Sequence, residues 1–344
     1  MKVNGGSAKT LVEISSLGEF QDFVAAIKDE EIMVVGEGTN TVFINLNPNL
    51  VLVKLNLKEV TLYPDLSPEE KGNSALKALS SGEGWERVEV SAGVNWDEFV
   101  QKYISLGGIS MESLSAIPGT VGAAPVQNIG AYGQEVANFI YSVKVYDLKE
   151  KQFKTLNNKE CEFTYRGSIF KEQKNRFIIL SVVFEIKKGE SKIPEYKDVK
   201  EYFETSNIKN PNILEIRNSI IEIRKFKLPD PKIINNCGSF FKNPTISQEE
   251  LKKVKEFFPE IPIYKTSDPH LIKIPAGYIL QRLGYKNFNP NFAKGNFGFY
   301  KNHSLILTSS GKGDTVELLE FIKTIKQKVF EVCGINLEGE VNLV

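Results

Sequence analysis

Apolar and polar positions follow two periods along this chain. Leu17 to Glu30 (LGEFQDFVAAIKDE) carries Phe20, Phe23, Val24 and Ile27 at helical spacing. The run IMVV that follows predicts a strand. After the loop GEGTN (Gly36 to Asn40), strand character returns at TVFI and VLVKL. The result is a βαβ-like start whose glycine loop leads into a strand rather than a helix. Val88 to Val94 (VEVSAGV) reads as a strand. Asn95 with Glu98 three residues on is a capping-box pattern, and the helix WDEFVQKYISL should end at Gly107.

Further strands are expected at SVKVYDL and RFIILSVVFEI. Pro64 to Trp85 reads as an exposed excursion, and Pro194 to Asn212 as irregular and polar. Ile213 to Phe226 predicts a helix, closed by LPDP because two prolines cannot continue it. GSFFKNP, a helix around Gln248 to Phe258, and AGYILQRLG then build a second α/β unit. Asp314 to Cys333 predicts a long amphipathic helix, with Val316, Leu319, Ile322, Ile325 and Val329 on one face and Gly334 as its stop. The closing INLEGEVNLV looks like a strand, and no internal repeat is present.

Composition narrows the class. At about 100–200 residues per domain, 344 residues make two or three domains. Hydrophobic residues at 41% and charged residues at 25% describe a globular chain, not a disordered one. Lys+Arg and Asp+Glu are both 43, so there is no basic surplus for general nucleic-acid binding. A local basic pocket for a phosphorylated small molecule stays open. Cys161, Cys237 and Cys333 form no C-x-x-C pair, which fits a reducing compartment. Two histidines exclude a multi-His metal centre. The N-terminus lacks a signal-peptide core, and FIILSVVFEI is too short to span a bilayer. The expectation is a soluble cytoplasmic protein with no nucleic-acid, membrane or metal partner.

Two glycine loops stand out. GEGTN lacks the third glycine and the following helix of a dinucleotide fingerprint, and no phosphate-binding P-loop pattern occurs. The better reading of GEGTN by itself is a tight turn, since glycine permits φ > 0 cheaply. In IPGTVGAAPVQNIGAYG (Ile117 to Gly133) four glycines alternate with small residues. Such a stretch can bring backbone N–H groups to a diphosphate, or can be a buried, tightly packed crossover.

IPGTVGAAPVQNIGAYGQE resembles the flavin loop of the UDP-N-acetylenolpyruvoylglucosamine reductase family. GEGTNTVF is similar to that family's first glycine loop, CEFTYRGSIFK to its arginine segment, and KLPDP with GSFFKNP to its linker and serine motif. AGYILQRLG and LEGEV are similar to its closing motifs, so the resemblance covers nearly the whole chain. It implies an α+β fold: an FAD-binding half of the p-cresol methylhydroxylase/vanillyl-alcohol oxidase type with a C-terminal α/β substrate domain. The implied regions are 1–57 with 334–344, then 58–215, then 216–333 for substrate. Tyr196, within Glu195-Tyr196-Lys197-Asp198, matches the tyrosine loop of the long subtype.

The resemblance further implies noncovalent FAD and NADPH, and a reaction of peptidoglycan precursor synthesis. Hydride passes from NADPH to FAD and on to C3 of UDP-N-acetylglucosamine enolpyruvate, and C2 takes a proton, giving UDP-N-acetylmuramate. Ser239 matches the proton donor, Arg166 the arginine facing the substrate carboxylate or enolate, and Glu340 the second polarising residue. On a strand Glu338 would share the face of Glu340, so the motif alone chooses between them. Gly36, Gly38, Thr39, Asn40, Ile117, Pro118, Gly119, Gly122, Ala123, Gly130 and Arg224 match flavin contacts. Tyr196, Lys227, Asn243 and His303 match contacts to the substrate diphosphate. Glu37, Thr39 and Asn342 depart from the family pattern, and Glu37 adds a charge beside the flavin diphosphate unless it points away. A monomer is implied. The competing expectation is a flavin oxidase of the same fold using oxygen.

Overall fold

The computed structural model describes residues 10–28, 30–44, 49–64, 85–266, 268–285 and 295–344. The chain divides into two compact units. The larger comprises Ala8–Glu37 and Asn49–Arg224; the smaller comprises Met1–Ser7, Gly38–Pro48 and Lys225–Val344.

In the larger unit, β1 (Thr10–Ile14) and β2 (Glu31–Val34) both run parallel to β4 (Leu50–Leu55), in the order β1-β4-β2. Helix α1 (Leu17–Ala26) begins where Ser16 accepts the Glu19 N–H, and it buries Phe20 against Ile14, Val53 and Ile178. A five-stranded antiparallel sheet follows, in the order β10-β9-β11-β6-β5. Its members are β5 (Val60–Pro64), β6 (Trp85–Ser91), β9 (Ile140–Asp147), β10 (Gln152–Asn157) and β11 (Phe177–Glu185). The excursion expected between β5 and β6 lies, at 65–84, outside the described residues.

Helix α2 (Trp96–Ser105) packs on this sheet. Asn95 Oδ1 accepts the N–H groups of Asp97 and Glu98, capping it as expected. Trp96, Phe99 and Tyr103 are buried with Val88, Val90 and Phe184, each large side chain contributing about 1.5–3 kcal/mol of burial. The short hairpin β7 (Gly130–Ala131) and β8 (Gln134–Glu135) and the single-turn helix α3 (Ile169–Glu172) complete the region around the glycine stretch.

The polar segment after Pro194 is not irregular. It holds helix α4 (Lys197–Thr205), whose Val199 and Phe203, one turn apart, are buried against Ile216, Ile220 and Ile223. Two apolar positions among nine make a narrow stripe, which overall polarity conceals. Ile216, Ile220 and Ile223 belong to helix α5 (Ile213–Lys227), whose last three residues fall in the smaller unit.

In the smaller unit, β12 (Asn235–Ser239), β17 (His303–Ser309) and β16 (Phe297–Tyr300) form an antiparallel sheet in that order. A second sheet orders β13 (Thr245–Ser247), β15 (Leu271–Lys273) and β14 (Tyr264–Lys265). Helix α6 (Gln248–Phe257) starts with a complete Ser247–Glu250 capping box. Helix α7 (Ala276–Arg282) packs on β17, and α6 packs beside α8 (Thr315–Cys333), which Asp314 caps and Gly334 ends at φ 73°. The inward face of α8 is Leu318, Ile322, Ile325 and Val329; Val316 and Leu319, assigned to it from the sequence, are exposed. Near the C-terminus strand geometry is confined to β18 (Asn342–Leu343), parallel to β3 (Thr41–Val42). Residues 338–340 bond instead to 240–242.

Candidate functional site

The larger unit brings the two glycine segments together. A Cβ on Gly36 would lie 3.2 Å from Thr120 Oγ1 and 3.5 Å from Ala123 Cβ. The Glu37 carboxylate sits 3.4 Å from Asn95 Nδ2, at the start of α2. Its charge is therefore directed to a helix N-terminus, where the macrodipole favours it. The second segment is tightly packed. The N–H groups of Val121, Gly122 and Ala123 donate to Val94, Ala92 and Thr120 carbonyls. A Cβ on Gly122 would fall 2.6 Å from Ala92 Cβ, so glycine here lets the crossover close on β6. Ahead of it, Ile117 is half-buried, Pro118 is exposed, and Gly119 turns at φ 127° while its carbonyl accepts the Trp96 N–H.

Arg166 sits on a tight turn bridged by Thr164 and Gly167, at φ 57°. Its Nη2 donates to the Gly130 carbonyl at 2.6 Å and its Nη1 lies 3.4 Å from that of Asn128. The Tyr165 ring lies 5.2 Å from its guanidinium carbon. The β7–β8 hairpin turns through Tyr132 and Gly133, both at positive φ. The Tyr132 ring meets Tyr196 edge-on, centroids 5.4 Å apart. Burial pushes the Tyr132 phenol up to about 12, so the hydroxyl stays protonated at neutral pH. Arg224, on α5, places Nε 3.4 Å from the Ala116 carbonyl. Burial works against its charge, while Tyr132 and Asp97 favour it. Arg166, Gly130 and Tyr196 are thus gathered around one hairpin.

The smaller unit gathers another set. Ser239 ends β12, beside Gly238 at φ 74° and opposite Ile306. The next carbonyl, that of Phe240, accepts the Glu340 N–H at 2.7 Å, so Ser239 and Glu340 lie on bonded neighbouring segments. Asn40 Nδ2 reaches the Glu340 carbonyl at 3.4 Å, and the Asn342 N–H reaches the Asn40 carbonyl at 3.1 Å. The loop end carrying Gly38, Thr39 and Asn40 therefore joins the terminal motif. Glu338 is separated from Glu340 by its surroundings: its side chain is 74% exposed and pairs with Lys242. Asn243 Oδ1 accepts the Ala276 N–H and so helps to start α7. Asn302 Nδ2 donates to the Phe226 carbonyl, which joins the segment before His303 to the residue before Lys227. His303 Nδ1 accepts the Leu305 N–H at 3.3 Å. Cys237 is buried, its thiol pushed up to about 12, which suits packing rather than nucleophilic chemistry.

Two residues of this architecture escaped the sequence reading. Asn128 is 1% exposed. Its side chain donates to Glu135 and to the Thr164 carbonyl and accepts the Ala137 N–H. Asp97 receives Arg217 and the Ala116 N–H. The only local signals were an Asn inside a glycine run and an acid in a helix's first turn, both common.

These features fit FAD. In the larger unit Gly36 abuts Thr120, Gly119 turns at φ 127°, and Arg224 is a basic group close by the Ile117–Gly119 segment. A diphosphate needs such side-chain-free backbone with a cation near it. A family model described as FAD binding domain matches residues 8–155. A second, the UDP-N-acetylenolpyruvoylglucosamine reductase C-terminal domain, matches 230–344. An FAD-binding domain followed by a reductase's C-terminal domain defines a flavin-dependent oxidoreductase.

The UDP-N-acetylenolpyruvoylglucosamine reductase of Flavobacterium johnsoniae is 34% identical, over 98% of this chain and 94% of its own. That of Pseudoalteromonas atlantica is 36% identical over 97% and 88%. The chain belongs to the UDP-N-acetylenolpyruvoylglucosamine reductase family. The crystal structure of the Thermus caldophilus reductase shares the fold, with TM-score 0.60 at 19% identity over 97% of this chain and 91% of that one. Among the described residues no helix is long and apolar enough to cross a membrane.

Proposed function

We propose that the chain reduces UDP-N-acetylglucosamine enolpyruvate to UDP-N-acetylmuramate with NADPH, in the cytoplasm and as a monomer. Bound FAD supplies the hydride carrier between NADPH and the enolpyruvyl C3. The chain's own residues must then hold negative charge, deliver a proton and grip a diphosphate.

Arg166 holds the charge. Contacts to the Asn128 and Gly130 carbonyls orient its guanidinium at the hairpin, and a permanently charged group able to bond bidentately suits a substrate carboxylate and a developing enolate. Ser239 delivers the proton to C2. A free serine hydroxyl is a weak acid, so Glu340 assists by polarising the same centre, either protonated or beside a positive group. Tyr196, Lys227, Asn243 and His303 bind the diphosphate. Gly36, Gly38, Thr39, Asn40, Ile117, Pro118, Gly119, Gly122, Ala123, Gly130 and Arg224 line the flavin. For Gly122 and Ala123 this means small size rather than N–H donation, since those donors are already engaged.

The observation that carries this reading is the bond from the Glu340 N–H to the Phe240 carbonyl, which sets Glu340 next to Ser239. The test is anaerobic NADPH oxidation by the FAD-loaded protein, with and without the enolpyruvyl substrate. Oxidation only with that acceptor, reduced about 10²–10⁴-fold in Ser239→Ala, supports it. Flavin reduction without reoxidation by the acceptor, but with oxygen consumption, points to an oxidase instead.

A further inference from the structure

Groups from two segments converge on the Asp97 carboxylate. Arg217, from α5 and 7% exposed, donates Nη1 to Oδ1 at 2.9 Å and Nη2 to Oδ2 at 2.8 Å. Arg217 Nη1 also reaches Ser115 Oγ at 2.6 Å, and that hydroxyl donates to the Glu112 carbonyl. The Ala116 N–H donates to Asp97 Oδ1 at 2.6 Å. These contacts, opposed by partial burial, hold the carboxyl below its ordinary range, and the field of Arg224 adds to them.

Ala116 has φ 55°. A left-handed alanine costs about 1–2 kcal/mol, so something must hold it there. Both its backbone polar groups are engaged: the N–H by Asp97, the carbonyl by Arg224 at 3.4 Å. Arg217 and Arg224 are seven residues apart on α5, about two turns, and so lie on one face of that helix. Ile117, Pro118 and Gly119 follow directly.

We propose that Asp97 is a positioning residue for the flavin: it fixes Ala116 in the left-handed conformation, which sets the course of Ile117 to Gly119 and the place of Arg224. This rests on the reading above that those residues line FAD. A pair serving stability alone needs only Arg217. The bond to a strained backbone N–H, one residue ahead of the expected flavin contacts, goes beyond that need.

The test is FAD titration of the apoprotein, with the flavin midpoint potential as second readout. Asp97→Ala lowers FAD affinity by about tenfold, the worth of a charged hydrogen bond, and shifts the potential. Arg217→Met, which spares the Asp97–Ala116 bond, lowers the melting temperature with a smaller loss of FAD affinity. Ala116→Gly, placed in the Asp97→Ala background, restores part of the affinity, because glycine adopts positive φ without being held. Failure of that rescue, or wild-type affinity in folded Asp97→Ala, overturns the proposal. Should Asp97→Ala not accumulate folded, Asp97→Asn, which keeps an oxygen for the Ala116 N–H, should keep most of the FAD affinity, and a loss there as large as that expected of Asp97→Ala overturns the proposal. Wild-type apoprotein that takes up no FAD overturns the flavin reading itself, and this inference with it.

Discussion

Arg166 Nη2 lies 2.6 Å from the carbonyl oxygen of Gly130, and this contact sets the direction of the guanidinium. Gly130 can make it only because it has no side chain. A Cβ there would stand 2.9 Å from Arg166 Nη1 and 2.8 Å from the Gln134 carbonyl oxygen. Gly130→Ala must therefore displace Arg166 or open the hairpin. Steady-state kinetics should show kcat reduced about tenfold or more. Thermal unfolding should show a loss of about 1–3 kcal/mol, the usual cost of overpacking. Unchanged kcat would mean that the orientation of Arg166 does not matter to turnover.

Gly122 and Gly38 separate two reasons for glycine. At Gly122 a Cβ would meet Ala92 Cβ at 2.6 Å and Cα at 3.1 Å, so Gly122→Ala should cost about 1–3 kcal/mol through packing. At Gly38 nothing stands within 4 Å, and φ is 68°. Gly38→Ala should cost about 1–2 kcal/mol, through backbone strain alone. FAD affinity discriminates further: the new methyl at 38 enters open space where backbone is expected to meet the flavin. Urea unfolding of both apoproteins, paired with FAD titration, should show Gly38→Ala losing more affinity per unit of stability lost.

Local rules made much of this architecture readable. Helices with explicit ends were legible: Asn95 caps α2, and Asp314 and Gly334 bound α8. Helix α4 was not, because only Val199 and Phe203 mark its buried stripe. Val316 was misassigned because a helical face is defined by what packs on it, and the buried spacing runs through Leu318, Ile322 and Ile325. Strand alternation could not separate Glu338 from Glu340; exposure and Lys242 do. The motif residues Arg166, Ser239 and Glu340 were visible through resemblance. Their supports were not, since Asp97 meets Arg217 across 120 residues of sequence and Asn128 meets Thr164 across 36.

Asp147 should dominate acid sensitivity in the larger unit. Its side chain is fully buried. Arg176 grips both oxygens, Lys154 adds a second cation, and the N–H groups of Lys149 and Glu150 bond Oδ1. Arg176 is the main cause holding its carboxyl well below the usual range. A lowered folded-state pKa stabilises the native state above the unfolded value, here 3.8, and that contribution is lost as pH falls. Asp147→Asn should cost about 1–3 kcal/mol at neutral pH, since Arg176 and Lys154 both retain Glu150. It should also flatten stability against pH below about 4. Urea midpoints measured from pH 2 to 7 test both; a constant gap between variant and wild type would refute the titration.

Glu112 shifts the other way. It is 1% exposed, and among the described residues its Oε2 and the nearby Ser191 Oγ lack hydrogen-bond partners. Burial is the largest cause of its raised pKa; local backbone groups oppose it without overcoming it. Below the unfolded value of 4.5 the carboxyl is protonated in both states and costs nothing extra. As pH rises above that value, the unfolded chain ionises freely while the folded chain resists, so stability falls until the folded pKa is passed. Glu112→Gln keeps the shape and removes the ionisation. Its melting temperature relative to wild type should therefore rise with pH, starting above about pH 4.5, and level off once the folded carboxyl ionises. A pH-independent difference would show that Glu112 reaches water or an opposite charge in the native protein.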